Sequence, residues 1–342
     1  MNILIIGAGA IGGSLACYLA SVGFKITILE QNKELCDKIN ERGLILRDSD
    51  KEYRAKVKAT DKIDTDAKFD CCFTATRAYS LKSAVMSVLD NLVEDAFVIS
   101  MNNGVCINPL IEAVGKKRAV WCSINYGVGI KDAGEYYIKI RGGLIFGMYG
   151  GGVPSKLLRV LDMMKSAIDV SVTDNIIGTL YSKMLINSCI TSTAIVSGLT
   201  LGEILKGKRG KLIFTEIVRE GLEMAHVAGI KVPNYGKLNY KLFLSKSLQG
   251  YLYRLIVFPI IKRKYGSRQS ASLEALKKGV KTEISYFNGY VVHLANRFHR
   301  SAPVNQAVVK SVQAVENNLS LIGEERLDEI ALIASNFGGT KK

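Results

Sequence analysis

The feature that most narrows the fold is a run of glycines set directly after a short apolar strand. Ile3 to Ile6 lead into Gly7-Ala8-Gly9-Ala10-Ile11-Gly12-Gly13, and a helical pattern follows through Ala20. A second aliphatic strand, Lys25-Ile26-Thr27-Ile28-Leu29, ends at Glu30. The G-x-G-x-x-G spacing therefore sits inside a complete strand–turn–helix–strand unit, and each glycine answers a physical need. Gly7 permits the tight turn, Gly9 lets the backbone approach a pyrophosphate, and Gly12 lets the helix pack closely on the strand. With Ala8, Ala10 and Ile11 they form a cradle of backbone N–H groups for phosphates.

Glu30 stands 18 residues after Gly12, where a carboxylate accepts bonds from the adenine ribose hydroxyls. A 2′-phosphate there would face that charge, and Gln31 and Asn32 follow rather than an arginine. The expected cofactor is NAD(P)H with NAD favoured; Lys33 softens the preference. Further strands are expected at Phe69–Thr74 and Phe97–Ser100. They end in polar turns, Thr76-Arg77 and Asn102-Asn103-Gly104, at the carboxyl edge of a parallel sheet, where ligands sit in such folds. Arg77 and Asn103 are thereby candidate cofactor or substrate contacts, although an ordinary loop arginine and an Asn-Gly turn would look the same.

At 342 residues, 48% hydrophobic and 23% charged, the chain is long and apolar enough for two cores and is no disordered or disulfide-stapled chain. The expected division is a dinucleotide-binding domain over 1–175 and a second domain over 176–342. The seven cysteines form no CxxC pair and no ligand spacing with His, so reduced thiols of a cytoplasmic protein are expected and no metal site. The chain opens on a strand with no signal-peptide pattern. The longest apolar stretch late in the chain, Leu255 to Ile261, is far short of the roughly 20 residues of a membrane span.

Charge separates the halves. Residues 1–175 carry 22 basic and 20 acidic side chains, the remainder 24 and 11. Between Glu223 and Glu274 nine Lys or Arg occur and no acid. A solvated lysine-rich face is one reading; a field that attracts anions is the other. Tyr251 to Tyr265 runs aromatic, apolar and then basic, a composition fit for a membrane surface, but Pro259 is expected to break any continuous helix there. Peripheral membrane contact is accordingly the minor reading, and no nucleic-acid-binding signature accompanies the charge.

From about residue 176 the pattern turns helical, with turn signals at Gly198, Gly207 and Gly210. Lys183 and Asn187 lie four apart on one helical face. Together with Thr282-Glu283-Ile284…Asn288-Gly289, Ala302-Pro303-Val304-Asn305, the Asn103-Gly104 turn and the glycine turn at 7–12, they make the chain resemble the ketopantoate reductase (2-dehydropantoate 2-reductase) family over nearly its whole length. The resemblance implies an α/β protein: an N-terminal Rossmann doubly wound parallel sheet plus an all-helical C-terminal domain, with substrate bound in the cleft between them. It further implies reduction of ketopantoate, as in pantothenate biosynthesis, or of a related 2-keto acid, by hydride from NAD(P)H. By resemblance Lys183 donates the proton and Asn187 binds substrate. Arg77, Asn103 and Glu283 contact the cofactor or the edge of the active site, with Glu283 orienting the lysine or a ligand hydroxyl.

That chemistry is reasonable, because an ammonium can stabilise the oxygen that gains charge and then protonate it. With an ordinary pKa of about 10.4, a lysine is a sluggish acid unless desolvation lowers it. His226, His293 and His299 fall outside these motifs, leaving no candidate for a histidine acid. Departures from the family pattern are Thr191 and Leu201, where Asn is usual, and Ala271, where Ser is common, flanked here by Ser270 and Ser272. Lys is common where Arg77 stands, and extra residues fall between about 235 and 268. The pocket that reads the substrate's hydroxyls is therefore expected to be altered. Two other readings are an opine-type or 3-hydroxyacid dehydrogenase on the same plan, and a non-catalytic dinucleotide-binding protein docked to an anionic membrane or partner. A homodimer is compatible with either enzyme.

Overall fold

The structure, a computed structural model, describes residues 1–265 and 270–338. The chain divides into two compact units, Met1–Leu180 and Tyr181–Lys342.

The first unit is built on an eight-stranded sheet. Its strands are β1 (Asn2–Ile6), β2 (Lys25–Leu29), β5 (Lys58–Thr60), β6 (Phe69–Thr74), β7 (Leu92–Ser100), β8 (Ala119–Ile124), β11 (Leu144–Met148) and β12 (Val170–Val172). They lie in the order β12-β11-β8-β7-β6-β1-β2-β5. Ile3, Leu4 and Ile5 of β1 are fully buried, as befits a central strand covered on both faces. The wound parallel sheet expected from sequence is present, with one departure: β11 runs antiparallel to β8, so the sheet is mixed. Helices α1 (Ala10–Ser21), α2 (Lys33–Arg42), α3 (Leu81–Met86), α4 (Ile107–Val114) and α5 (Ser155–Met164) complete the unit.

A second, four-stranded sheet lay beyond the sequence reading. It comprises β3 (Leu44–Asp48), β4 (Lys51–Ala55), β9 (Gly127–Asp132) and β10 (Glu135–Ile140), ordered β4-β3-β10-β9. Its strands pack against α1. Fully buried Tyr136 of β10 presses on Gly13, where any Cβ would strike its ring, and donates its hydroxyl to the Ala8 carbonyl at 2.8 Å.

The regular elements of the second unit's described residues are all helices, with one isolated bridge between Tyr235 and Leu238. Its helices are α6 (Ile176–Asn187, which begins in the first unit), α7 (Thr193–Ser197), α8 (Leu201–Ile204), α9 (Lys208–Val227), α10 (Tyr240–Leu244), α11 (Leu248–Tyr265), α12 (Ala271–Lys277), α13 (Asn288–Arg297), α14 (Pro303–Asn317) and α15 (Glu325–Gly338). A π-helical turn, Ser188–Ser192, joins α6 to α7. Gly198 ends α7 in the left-handed conformation and Gly207 caps α9. Gly210 is no turn: it lies inside α9, where a Cβ would run into the Ile204 carbonyl.

Pro259 is the larger correction. Helix α11 continues through it. An internal proline costs about 3 kcal/mol, chiefly by removing the bond to the carbonyl four residues back. That residue, Leu255, stands on the solvent side of the helix, where water can take the partner's place. The opposite face is held firmly. Phe258 meets Phe214 and Phe243 edge-to-face at 5.8 and 5.5 Å, Val257 is buried beside it, and Arg254 donates to the carbonyls of Phe243 and Ser245. Burying Phe258 and Val257 at about 1.5–3 kcal/mol each outweighs the proline. Arg268 of the basic tract lies outside the described residues.

Candidate active site

The glycine turn leaves β1 at the carboxyl edge of the main sheet, beside the turns that follow β6 and β7. Ala75 N–H donates to the Ile6 carbonyl and Met101 N–H to Thr74, so the three turns are stitched in register. Gly7 has φ +99, and a Cβ on it would lie 3.0 Å from the Ala75 carbonyl oxygen. Gly12 is tighter still, since a Cβ would drive into the carbonyl of Gly7. Gly9 differs: nothing lies within 4 Å of where its Cβ would be. It caps α1 in an extended conformation, no side chain satisfies the helix's first N–H groups, and no acid stands in the first turn. A helix start left uncapped, with an empty space over Gly9, is the arrangement a pyrophosphate requires. The residues present therefore fit the dinucleotide that the motif implies.

Glu30 closes this site from the end of β2. Its carboxylate accepts the Ala8 N–H at 2.8 Å on one oxygen and the Asn32 N–H at 3.1 Å on the other. Each oxygen keeps a further lone pair for a hydroxyl. Asn32 itself caps α2 by accepting the Leu35 N–H at 3.0 Å.

The turn after β7 divides its labour between two asparagines. Asn102 is buried, accepts the Ser100 hydroxyl at 2.9 Å and donates to the Thr76 carbonyl at 2.7 Å, locking the β6 and β7 turns together. Asn103 is thereby left exposed at the edge. Arg77, half-buried, begins the short 3-10 turn Ala78–Ser80 in extended conformation. Asn102 escaped the sequence reading because the Asn-Asn-Gly triplet gives no sign of which asparagine turns inward.

In the second unit the helix from Leu180 to Ser197 is buried except at four positions: Lys183, Asn187, Ile190 and Thr191. Lys183, Asn187 and Thr191 follow one another at intervals of four and, with Ile190 beside them, form one partly open strip on an otherwise enclosed rod. The segment carrying Glu283 is tied to the same rod. Ser192 donates to Asn288 at 2.6 Å, Asn288 to Asn305 at 2.9 Å, and Asn305 to Glu220 at 2.8 Å. Glu220 also accepts the N–H groups of Val304 and Asn305 at the start of α14, both at 2.9 Å. Burial pushes the Glu220 carboxyl above its ordinary value, against the pull of these three donors. Glu283 itself, half-buried, precedes the 3-10 turn Ile284–Tyr286, fixed through Thr282, whose N–H meets Glu316 at 2.8 Å. Asn288 and Asn305 thus belong to a structural network, and Glu220, its carboxyl end, had no signal in the sequence beyond an acid on a helix.

The three substituted positions separate in the same way. Leu201 is buried at the start of α8, and Ala271 is exposed at the start of α12, behind Ser270, which caps that helix. Only Thr191 shares the open strip with Lys183 and Asn187. Among the described residues no group of His, Cys, Asp or Glu is arranged to hold a metal ion. All seven cysteines are free and buried.

A wound sheet with a glycine turn at its carboxyl edge, followed by a helical unit, is a plan on which dinucleotide-dependent oxidoreductases are built. The family models for ketopantoate reductase PanE/ApbA match residues 3–151, and those for its C-terminal part match 175–316, so the chain belongs to the ketopantoate reductase family, as a divergent member. It is 28% identical over 326 residues to the 2-dehydropantoate 2-reductase of Pyrococcus horikoshii, covering 93% of this chain and 98% of that protein. The Pyrococcus abyssi 2-dehydropantoate 2-reductase is 27% identical over 320 residues, covering 92% and 99%. Among solved structures, a PanE/ApbA family ketopantoate reductase from Ralstonia eutropha superposes with a TM-score of 0.79 at 20% identity, covering 94% of this chain and all of that one. A D-mandelate dehydrogenase solved with NADH and anilino(oxo)acetate gives 0.79 at 19%, covering 94% and 99%. The chain is thus an enzyme of a family of NAD(P)-dependent 2-keto acid reductases, and no helix among its described residues is long and apolar enough to cross a membrane.

Proposed function

We propose that the protein reduces a 2-keto acid, ketopantoate or a related compound, with NADH as the preferred cofactor, in the cytoplasm. Residues 1–175 serve as the dinucleotide-binding domain and 176–342 as the substrate domain. The observation that carries the reading is the partly open strip of Lys183, Asn187 and Thr191, with Ile190 beside them, on a helix buried at its other positions from 181 to 197. A half-buried lysine on such a helix suits a proton donor.

The backbone of Gly7 to Gly12, with Ala8, Ala10 and Ile11, would hold the pyrophosphate, and Glu30 the adenine ribose. The nicotinamide, when bound, supplies the hydride. Lys183 stabilises the charge that develops on the carbonyl oxygen and delivers the proton. Asn187 and Asn103 orient substrate, Arg77 contacts the cofactor, and Glu283 orients the lysine. Thr191 sets which substrates are accepted, since a hydroxyl there replaces the amide of the family pattern and a lost hydrogen bond weighs heavily on discrimination. The likeness to a D-mandelate dehydrogenase favours placing aryl 2-keto acids beside ketopantoate among the candidates.

Initial rates with ketopantoate, an aryl 2-keto acid and aliphatic 2-keto acids, each with NADH and NADPH, test the reading. Turnover with at least one 2-keto acid and a higher kcat/KM for NADH is expected. Cofactor binding without turnover of any 2-keto acid, or turnover that needs an added amine, would overturn it.

A further inference from the structure

Helix α11 is apolar on two sides, and only one of them is covered. Val257 and Phe258 pack inward, while Leu248, Tyr251, Leu252, Leu255, Ile256 and Ile260 line the outer face at the i, i+3, i+4 spacing of a continuous stripe. Leu248 is 73% exposed and Ile256 62%, and each of the six is at least half exposed. Single exposed leucines are ordinary, but an aligned row of this length marks an interaction surface. Pro259, on the same face, leaves the helix unbroken, so the stripe from Leu248 to Ile260 is about 18 Å long.

What covers it is indicated by charge. Exposed Lys246 precedes the helix, exposed Lys262 and Arg263 end it, and exposed Lys241 stands on the preceding α10. Exposed Lys206 and Lys208 follow α8, which packs against α11. No Asp or Glu occurs from 224 to 273. A second copy seated on this face would bring the same cations together with few acids to offset them, Glu203 on α8 being one, which disfavours self-association. An anionic lipid surface neutralises them and receives the apolar stripe. The helix is neither long nor apolar enough to cross a bilayer, so it lies in the plane.

We propose that α11 docks the protein on anionic membrane surfaces, its outer stripe entering the headgroup boundary and its basic ends pairing with lipid phosphates and carboxylates. This inference stands independently of the substrate.

Flotation of the full-length protein with phosphatidylcholine vesicles, with and without about 30% phosphatidylserine, tests it directly. Binding is expected on the anionic vesicles alone, and at least tenfold weaker at about 0.5 M salt. Leu252→Glu with Ile256→Glu should abolish binding. Lys262→Glu with Arg263→Glu should weaken it more than tenfold, since each cation near the surface contributes about 1 kcal/mol. All four positions are exposed, so the variants should keep wild-type circular dichroism and dinucleotide binding. No binding at low salt, equal binding to neutral vesicles, or binding that survives the stripe variant overturns the proposal. A concentration-dependent dimer in sedimentation velocity that the stripe variant abolishes assigns the face to a second copy and overturns it as well.

Discussion

The two units put their chemistry in different materials. In the first, the candidate cofactor site is backbone: Gly7, Gly9 and Gly12 act through the atoms they lack, and even Glu30 is held by N–H groups of Ala8 and Asn32. In the second, it is side chains that packing leaves partly open, Lys183, Asn187 and Thr191 with Ile190 beside them, where the other positions from 181 to 197 are enclosed. The first unit is nearly neutral and the second strongly basic. Backbone sites tolerate no added atom, whereas side-chain sites tolerate neighbours but not the loss of the functional group. Substitutions should therefore fail differently in the two places.

The largest effect is expected at Lys183. Lys183→Ala should lower kcat by about 10²–10⁴ while the dinucleotide Kd, followed by nicotinamide fluorescence, stays within twofold. A kcat within fivefold of wild type would remove the lysine from the chemistry. Next come the glycines, which divide the first unit's site into fold and function. Gly12→Ala should destabilise by about 2–4 kcal/mol in denaturant unfolding, because backbone must move away from the new Cβ. Gly9→Ala should leave stability within about 0.5 kcal/mol, as its Cβ enters open space, yet weaken dinucleotide binding at least tenfold. If both glycines cost stability alike, the space over Gly9 is not a phosphate seat.

Glu220→Ala examines the second unit's scaffold. It strands the Val304 and Asn305 N–H groups and should cost about 2–3 kcal/mol, with a smaller loss for Asn288→Ala. Glu30→Ala should narrow the NADH to NADPH preference by about tenfold, the worth of one charge-assisted bond. A preference unmoved by that change would place nucleotide choice elsewhere.

A further effect concerns pH. Burial pushes the Cys17 and Cys72 thiols up to about 12 from 9.0. Below about pH 9 these thiols are protonated in both folded and unfolded chains. Above it the unfolded thiols ionise while the folded ones do not, so stability falls as pH rises, by up to about 1.4 kcal/mol per pH unit for each thiol. Unfolding midpoints at pH 8 and 10 should show that loss, and Cys17→Ala with Cys72→Ala should diminish it. For the same reason the native protein should resist thiol reagents at pH 8.

What could be read in the sequence follows from the same difference in material. Strand β2 and strand β6 fall on the residues expected, because each is a short apolar run, Ile-rich in β2 and built of Phe and Cys in β6, bounded by turn residues. The glycine turn was legible because its constraint is steric and local. Lys183 and Asn187 share a helical face by spacing alone, but that this face is the open one depends on which helices cover the others. Asn102 and Asn103 are adjacent and chemically identical, and only the Thr76 carbonyl decides which of them turns inward.

Pro259 shows the limit most sharply. Local propensity says that a proline ends a helix, and at this position three aromatic rings on one face and solvent on the other override it. The sequence by itself determined the wound sheet, the dinucleotide turn, the family and the basic charge of the second half, since these rest on spacing and composition. The tertiary structure alone decided the small second sheet behind Gly13, the Glu220 network and the unbroken outer face of α11. Each of those depends on residues far apart in the chain meeting, and no local pattern encodes such a meeting.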